Sequence, residues 1–412
     1  MSADALADRV MSRSAALAGH TEEPGRVTRR YLTPPIKAVH LELTRWMAEL
    51  GLHVRTDAAG NLVGRLGDPA PDTPVLLIGS HIDTVPNGGK YDGVLGVLVG
   101  LAVADVLQDR ALPFAVDVVA FSEEEGVRYA KPYLGSAAIA GTFDPDWLER
   151  RDDRGVTMRA AIEAFGLEPD KIADAAYDPR RVVGYLETHV EQGPVLEREG
   201  RPVGVVTAIA GQSRLMLRFT GEPGHAGTTP MFPRKDALVS AAHLISEVQD
   251  YGRSIQGLRA TVGYVRAHPN VRNVIPGEVD ISLDIRHAMD DVREAAVAAL
   301  IDTAERVAKE DGMTVEVLEN QPQPATAMSG LLSRMLHEAM DEAELTPFEL
   351  LSGAGHDAVA MAASFPVAML FVRHPDGVSH HPDERVSVAD VAVAIDVLAR
   401  AVGRLADELE VN

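Results

Sequence analysis

Residues 75–107 read VLLIGSHIDTVPNGGKYDGVLGVLVGLAVADVL, and this stretch decides the predicted fold. The uninterrupted apolar run at 75–79 is typical of a strand that is buried on both faces. A loop rich in glycine follows it, and residues 93–107 then predict an apolar helix. The next apolar run, FAVDVVAF at 114–121, predicts a second buried strand. Strand, helix and strand in this order form a βαβ unit, which indicates a mainly parallel sheet covered by helices.

The pattern of the chain changes after residue 211. Residues 212–326 predict strands and helices in the order β-α-β-β-α-β, which is the order of a ferredoxin-like sandwich. Beyond 327 the chain returns to alternating helices and buried strands. The sequence therefore predicts a discontinuous α/β domain, made of residues 1–211 and 327–412, with a ferredoxin-like α+β domain inserted at 212–326. The Gln/Pro segment 320–326 is predicted to be a linker.

The bulk composition excludes several classes of protein. A chain of 412 residues is too long for one ordinary core, which agrees with two domains. The net charge is -22, and such an acidic surface argues against nucleic acid or an anionic membrane as partner. The absence of cysteine excludes disulfides and thiolate chemistry. The N-terminus does not resemble a signal peptide, and no apolar run reaches 18 residues, so we expect a cytoplasmic protein.

Potential metal ligands follow both strands of the predicted βαβ unit. His81 comes two residues after the first apolar run, and Asp92 comes eleven residues later; three consecutive glutamates at 123–125 follow the second strand. The carboxyl ends of neighbouring strands meet at one edge of an open α/β sheet. An aspartate there can bridge two ions ~3.5–4 Å apart, and Asp83 is placed to accept the other N–H of the histidine. The pattern predicts a two-metal hydrolytic centre.

Two further histidine motifs add donors to this centre. ETHVEQGP contains His189, and GVSHHPDE contains His380; each follows a short apolar segment. Taken singly, such a histidine is more often a satisfied polar residue, and an acidic run is more often a solvated face. Their joint position at strand ends favours the metal interpretation. Neither a G-x-S-x-G elbow nor an H-E-x-x-H motif occurs, which argues against a serine hydrolase and a helix-borne zinc site.

Seven motifs in fixed order carry a resemblance to a known family. GSHIDTVPNGGKYDG, EEEGVRY, ETHVEQGP, GHAGTTPM, RNVIP, SGAGHDA and GVSHHPDE resemble the hydantoinase/carbamoylase amidase group of the M20 metallopeptidase superfamily. That group includes N-carbamoyl-L-amino-acid hydrolases, β-ureidopropionases and allantoate amidohydrolases. The resemblance runs from about residue 30 to the C-terminus. It implies a metal-binding catalytic domain and an inserted dimerisation or lid domain.

The resemblance implies a specific set of ligands for two divalent ions. His81, Asp92 and His189 would hold one ion, while Glu125 and His380 would hold the other together with the shared Asp92. The wider superfamily usually has a carboxylate at the position of His189, so the histidine favours the amidase group over ordinary peptidases. Such nitrogen and carboxylate ligands suit zinc, manganese, cobalt or nickel.

The resemblance also implies the catalytic residues. Glu124 would be the general base, and Glu123 is expected to be a solvated neighbour without a role. His225 would stabilise the tetrahedral oxyanion from the partner subunit of a homodimer; without the resemblance it is a turn histidine. Candidate substrate contacts are Gln192, Arg214, Asn273, Arg286, Gly355 and His356. Of these, Asn273 and Arg286 would bind a substrate carboxylate, although an ordinary surface role for the arginine stays open.

Several functions remain open from the sequence. The favoured hypothesis is hydrolysis of the N-carbamoyl group of an L-amino or β-amino acid, which releases ammonia and carbon dioxide. Allantoate hydrolysis is the alternative within the same group, since both activities share every metal motif. A dipeptidase or aminoacylase is a further alternative that His189 makes less favourable. A non-catalytic metal-binding scaffold is the remaining class, and the presence of Glu124 argues against it.

Overall fold

The structure is a computed structural model, and it describes residues 2–70 and 72–411. The chain divides into two compact units. Unit 1 comprises Met1–Thr207 and Ala327–Asn412, and unit 2 comprises Ala208–Thr326. Unit 2 thus begins four residues before the predicted insertion at 212 and ends with it at 326.

The helices and strands are as follows. The α-helices, in chain order, are α1 (Ala3–Ala18), α2 (Pro34–Glu49), α3 (Val94–Leu107), α4 (Leu134–Ala140), α5 (Met158–Phe165), α6 (Val195–Arg198), α7 (Ala237–Ser254), α8 (Asp290–Glu310), α9 (Gly330–Glu342), α10 (Ala358–Met361) and α11 (Val388–Val411). The strands are β1 (His53–Thr56), β2 (Leu62–Leu66), β3 (Val75–His81), β4 (Ala115–Phe121), β5 (Val182–Val190), β6 (Val203–Ile209), β7 (Gly211–Thr220), β8 (Gly224–His225), β9 (Arg259–Thr261), β10 (Val265–His268), β11 (Val274–Ile275), β12 (Glu278–His287), β13 (Thr314–Gln323), β14 (Thr326–Ala327), β15 (Glu349–Ser352) and β16 (Val367–Val372). Short 3-10 turns occupy Pro145–Glu149, Pro169–Ala175 and Pro375–Gly377.

The large sheet of unit 1 has a parallel centre. Its strands run in the order β1-β2-β4-β3-β5-β16-β6-β14, and β15 pairs with β6. Strands β4, β3, β5 and β16 are parallel to one another, while β2 and β6 pair antiparallel with the outer members of this group. Every residue of β3 and β4 is buried. The predicted mainly parallel α/β sheet, with β3-α3-β4 as its βαβ unit, is confirmed.

Close packing of α3 on this sheet depends on a glycine. The helix is apolar on all sides and nearly all of its residues are buried, because α1 and α11 cover its outer side. A Cβ atom at Gly96 would lie 2.1 Å from the carbonyl oxygen of Thr188 in β5. Only glycine allows the helix to approach the strand this closely. The contact holds the start of α3 beside the carboxyl ends of β3 and β5.

Unit 2 is built on an antiparallel sheet. Its strands run in the order β10-β12-β7-β13, and β9 also pairs with β12. Helices α7 and α8 contact the sheet, and the residues of β12 alternate between buried and partly exposed, as expected of a sheet covered on one face. The element order β7-α7-β9/β10-β12-α8-β13 is that of a ferredoxin-like sandwich.

Two local predictions in this unit were wrong. The predicted order β-α-β-β-α-β has a single strand between α7 and β12, but this strand is divided into β9 and β10. The linker predicted at 320–326 is strand through Gln323, because a bulge between Val317 and Glu319 lets β13 continue its pairing with β7. Pro322 is tolerated there because β13 is an edge strand, where a missing N–H does not interrupt a ladder.

Among the described residues, no helix combines the length and the apolar character that crossing a bilayer requires.

Candidate metal centre

The predicted ligands of unit 1 gather at the carboxyl ends of neighbouring strands. His81 is the last residue of β3, and His189 is the penultimate residue of β5. The acids at 123–125 begin two residues after β4 ends. His380 follows β16, the next strand along the sheet. The parallel centre of the sheet therefore brings segments from distant parts of the chain to one edge.

The first group consists of two histidines and an aspartate. The Nε2 atoms of His81 and His189 lie 3.7 Å and 3.2 Å from Oδ1 of Asp92. The same two nitrogens are 3.5 Å apart. All three side chains are buried. Each residue offers one ligand atom, and the three atoms lie close enough together to hold a metal ion.

Hydrogen bonds orient both imidazoles for a cation. Nδ1 of His189 lies 2.9 Å from the carbonyl oxygen of Val190, and Nδ1 of His81 lies 3.1 Å from that of Asp83. A carbonyl only accepts, so each Nδ1 carries a proton, and Nε2 of each ring is the nitrogen that can bind a cation beside Asp92. The two nitrogens and the carboxylate lie close enough together to bind one ion. This donor set fits a divalent ion such as zinc or manganese.

The second group shares the same aspartate. Oδ2 of Asp92 lies 3.4 Å from Nε2 of His380, and Oε1 of Glu125 lies 3.6 Å from that nitrogen. The three residues again offer ligand atoms within reach of one ion. Oδ1 of Asp92 therefore faces the first group and Oδ2 faces the second. The His380 side chain is 49% exposed, unlike the other histidines of the centre.

Two of the three acids after β4 are buried, and Glu125 is partly buried. Glu124 is 8% exposed and Glu123 is fully buried. Burial raises the pKa of Glu124 well above its ordinary range, and burial together with the nearby Asp92 carboxylate raises the pKa of Glu125 to about 8. A divalent cation favours the ionised forms of such carboxyls, so this acid cluster also fits a metal centre.

The expectation that Glu123 is solvated was wrong. Its Oε1 accepts the backbone N–H of Gly126 at 2.6 Å. Burial and the Asp83 carboxylate raise its pKa well above the ordinary value. Glu123 therefore closes the turn that presents Glu124 and Glu125.

Asp83 supports both sides of the centre. Its Oδ1 lies 3.3 Å from Nδ1 of His81. Its two carboxylate oxygens also accept the backbone N–H groups of Glu124 at 2.9 Å and Glu125 at 3.2 Å. One side chain thus contacts the histidine of β3 and the backbone of the acid turn after β4.

The predicted substrate contacts of unit 1 lie around these groups. Nε2 of Gln192 donates to Oδ2 of Asp92 at 3.2 Å and to the hydroxyl of Ser379 at 3.0 Å. His356 is buried, with its ring centroid 4.5 Å from that of His189. Its Nε2 lies 2.9 Å from the Ser352 hydroxyl. A Cβ atom at Gly355 would lie 2.0 Å from the Tyr133 hydroxyl, so glycine is required there.

The other predicted residues belong to unit 2. His225 is exposed, and its Nδ1 accepts the backbone N–H groups of Gly227 and Thr228. Strand β8 pairs with β11, which places His225 opposite Val274, the residue after Asn273. Arg286 makes two hydrogen bonds to Asp284, at 2.7 Å and 2.8 Å. Arg214 lies 3.6 Å from the same carboxylate.

Sequence reasoning missed two buried glutamates. Oε1 of Glu384 accepts the N–H groups of Tyr91 at 2.7 Å and Asp92 at 2.9 Å. Burial, and then the Asp92 carboxylate, raises the pKa of Glu384 to about 7. Glu187 accepts the Ser80 hydroxyl at 2.8 Å and the N–H of Ala358 at 3.0 Å. The available signals were their spacings, four residues after His380 and two before the histidine of β5.

Comparisons with known proteins match nearly the whole chain. The sequence model of peptidase family M20/M25/M40 matches residues 77–404. An N-carbamoyl-L-amino acid amidohydrolase of Geobacillus stearothermophilus is 39% identical over 384 residues, which cover 93% of this chain and 94% of that protein. An allantoate deiminase of Arabidopsis thaliana is 36% identical and covers 94% of this chain and 80% of its own length. A crystal structure of a hydantoinase/carbamoylase family amidase from Burkholderia multivorans has a TM-score of 0.90 and 34% identity, with 97% and 98% of the two chains covered.

Proposed function

The chain belongs to peptidase family M20/M25/M40, and we propose that it is a dinuclear metal-dependent amidohydrolase of N-carbamoyl-L-amino acids. The reaction would cleave the C–N bond of the carbamoyl group and release the amino acid, ammonia and carbon dioxide. The observation that carries this proposal is the position of Asp92 between two ligand groups, one of which contains His189. Relatives that bear this activity in their names are 35–39% identical over more than nine tenths of the chain.

Residues of this chain would hold the ions and handle the protons. His81 and His189 would bind the first ion, and Glu125 and His380 the second, with Asp92 shared. Divalent ions bound there would lower the pKa of a water molecule and polarise the substrate carbonyl. Their identity is open among zinc, manganese, cobalt and nickel.

Glu124 would move the proton. Its carboxylate and the side chains of His81 and Glu125 lie close enough together to hold one ion. The Glu124 carboxylate would therefore be beside a water molecule that attacks the substrate at this centre. It would accept a proton from that water and return it to the departing nitrogen. Burial raises the pKa of Glu124, and bound cations would favour the ionised form that accepts a proton.

His225 would stabilise the developing oxyanion from a second subunit. Because its Nδ1 accepts two backbone N–H bonds, the ring proton is on Nε2, which is therefore a donor. Donation toward negative charge that forms during the reaction is the role this geometry supports. The exposed Met231 and Phe232, at 78% and 88%, follow His225 closely and favour a partner on this side of unit 2.

Asn273 and Arg286 would bind the substrate carboxylate. Asp284 holds the guanidinium of Arg286 in a planar, bidentate pair, which fixes the orientation of the guanidinium. Gln192, Arg214, Gly355 and His356 are further candidate contacts. Allantoate hydrolysis is the second candidate function, because allantoate deiminases match the chain at 36% identity.

The substrate is tested by ammonia release from a panel after reconstitution with manganese. The panel contains N-carbamoyl-L-methionine, β-ureidopropionate, allantoate and a dipeptide. We expect the N-carbamoyl-L-amino acid to be turned over best. Ammonia release from allantoate alone would move the assignment to the second candidate, and amine release from the dipeptide alone would contradict both. Glu124→Gln should keep its bound metal and lose turnover.

The role of His225 is tested by mixing two inactive variants. In a heterodimer of Glu124→Gln and His225→Ala chains, one of the two sites has both residues intact only if His225 acts in the partner's site. Refolding an equimolar mixture should therefore restore activity, while each variant alone stays inactive. A mixture without activity, in a sample shown to contain heterodimers, would contradict the proposal.

A further inference from the structure

Glu384 ties the loop that carries His380 to the segment that carries Asp92. Residues 381–383 of this loop are exposed, but Glu384 is only 3% exposed. Its Oε1 accepts two consecutive backbone N–H groups, those of Tyr91 and Asp92. The bonded residues are 293 and 292 positions apart in the sequence. A single buried carboxylate thus joins two segments that each supply a ligand to the second metal group.

We propose that Glu384 is a positioning residue that holds the His380 loop in register with Asp92 and thereby sets the affinity for the second metal ion. This inference rests on the proposed function only in requiring that Asp92, Glu125 and His380 bind an ion.

The chain leaves space for this contact. A Cβ atom at Gly89 would lie 2.2 Å from Cδ and 2.5 Å from Cβ of Glu384. The absence of a side chain at residue 89 lets the carboxylate reach the backbone just before α3. The bonds therefore fix the backbone of Asp92 itself, not only the path of the loop.

His380 needs such an anchor more than the other histidines do. His81 and His189 lie in buried strands whose ladders fix their backbone. His380 lies in a loop with a positive φ of 55° and a side chain that is 49% exposed. A residue other than glycine adopts this conformation only where its surroundings hold it. Apart from Gln192, which bridges Asp92 and Ser379 through side chains, Glu384 supplies the backbone connection.

Metal binding to variants of Glu384 and to one control variant tests the proposal. Glu384→Ala removes both bonds, whereas Glu384→Gln keeps the accepting oxygen and should keep the register. The matched control is Asp152→Ala, because Asp152 also accepts two backbone N–H groups, from Arg154 at 3.0 Å and Val156 at 2.9 Å, in another loop of unit 1. Manganese binding to chelator-treated protein is measured by equilibrium dialysis with elemental analysis, alongside circular dichroism of the metal-free chains.

The expected result is selective for one ion. Wild type should bind two ions per chain, and Glu384→Ala should bind the first normally and the second about 10–100-fold more weakly, as is typical when a residue that supports a ligand is lost. Glu384→Gln and Asp152→Ala should bind both ions like wild type. If Glu384→Ala fails to fold, Glu384→Asp takes its place in the test. The shorter aspartate side chain cannot reach both N–H groups, so this variant should also bind the second ion more weakly than wild type.

The proposal and the dinuclear centre would be refuted by different outcomes. Normal binding of both ions by Glu384→Ala or Glu384→Asp would show that the anchor is dispensable. Equal weakening of both ions, or no rescue by glutamine, would indicate general destabilisation. A wild-type chain that binds fewer than two ions would instead refute the dinuclear centre itself, so the two failures are distinguishable.

Discussion

Gly96→Ala tests whether the packing of α3 on the sheet holds the metal centre together. An ideal Cβ atom at residue 96 would lie 2.1 Å from the carbonyl oxygen of Thr188 and 2.8 Å from Cβ of Ser80. Each of these neighbours directly precedes a histidine of the first ligand group. The start of α3 also carries Gly93, whose N–H contacts Nε2 of His189 at 3.2 Å. Any shift of the helix that relieves the collision therefore moves the centre.

The size of the effect follows from two opposing terms. An extra methyl group in a well-packed core costs about 1–3 kcal/mol, and the upper end applies because the atom met here is backbone. Alanine in place of a helix-interior glycine gains about 1 kcal/mol of helix propensity. The free energy of unfolding should therefore fall by about 2 kcal/mol.

Gly100→Ala in the same helix is the matched control. Its Cβ would lie 3.2 Å from a methyl group of Val118 and 3.3 Å from one of Ile78, and the nearest backbone atom, the Ile78 oxygen, would be 3.8 Å away, which is an ordinary contact. Side chains can shift by a few tenths of an ångström, so the packing cost and the propensity gain should nearly cancel. Urea unfolding of both chelator-treated variants measures the difference, and manganese affinity shows whether the centre moves. Equal stability of the two variants would refute the packing argument, and normal metal affinity of Gly96→Ala would refute its link to the centre.

Three further predictions concern acid stability, metal support and metal dependence. Burial lowers the pKa of His40 from 6.5 to about 4. Between these pH values the folded state therefore binds fewer protons than the unfolded state. As the pH falls from 6.5 to 4, the free energy of unfolding should decrease by about 3 kcal/mol more for wild type than for His40→Met. The same decrease in the free energy of unfolding for both proteins between pH 6.5 and 4 would contradict this prediction. Asp83→Asn should reduce metal affinity about 10–100-fold, because it weakens the support of His81 and of the acid turn; unchanged metal content after dialysis would exclude that role. Exhaustive chelation should abolish turnover and lower the melting temperature, and added manganese should restore both. Full activity of a chain that elemental analysis shows to be free of metal would contradict the metal mechanism.

The predictable part of the fold is the part whose side chains face a continuous core. The apolar runs of β3, α3 and β4 predicted these elements to within two residues, because burial on all sides makes most of their positions apolar. The limits of β13 were not predictable in this way. Its pairing beyond residue 318 depends on a bulge and on the neighbouring β7, and its exposed sequence carries no such period.

The residues of the candidate site also differ in how far the sequence could predict them. The sequence predicted His81, Asp92 and the acid turn as parts of the site, because these residues follow apolar runs that indicate buried strands. Glu384 carries no comparable signal, because its partners are nearly three hundred residues away and are backbone atoms, whose identity the sequence does not encode. Local reasoning therefore identifies donors that point into a site more readily than the residues that orient them.

Glu123 shows why a rule of average behaviour fails at such a site. Three consecutive glutamates predict a solvated face, because burying an unpaired carboxylate is costly. Here the strand ends in a turn whose backbone N–H groups bond to acids: Gly126 donates to Glu123, and Glu124 and Glu125 donate to Asp83. Two carboxylates thus fold the turn by accepting its backbone, and this leaves the other two free to face the ligand groups. A cluster of buried acids is then a consequence of building a cation site on a strand end, and local sequence rules are expected to fail where function requires charge inside the protein.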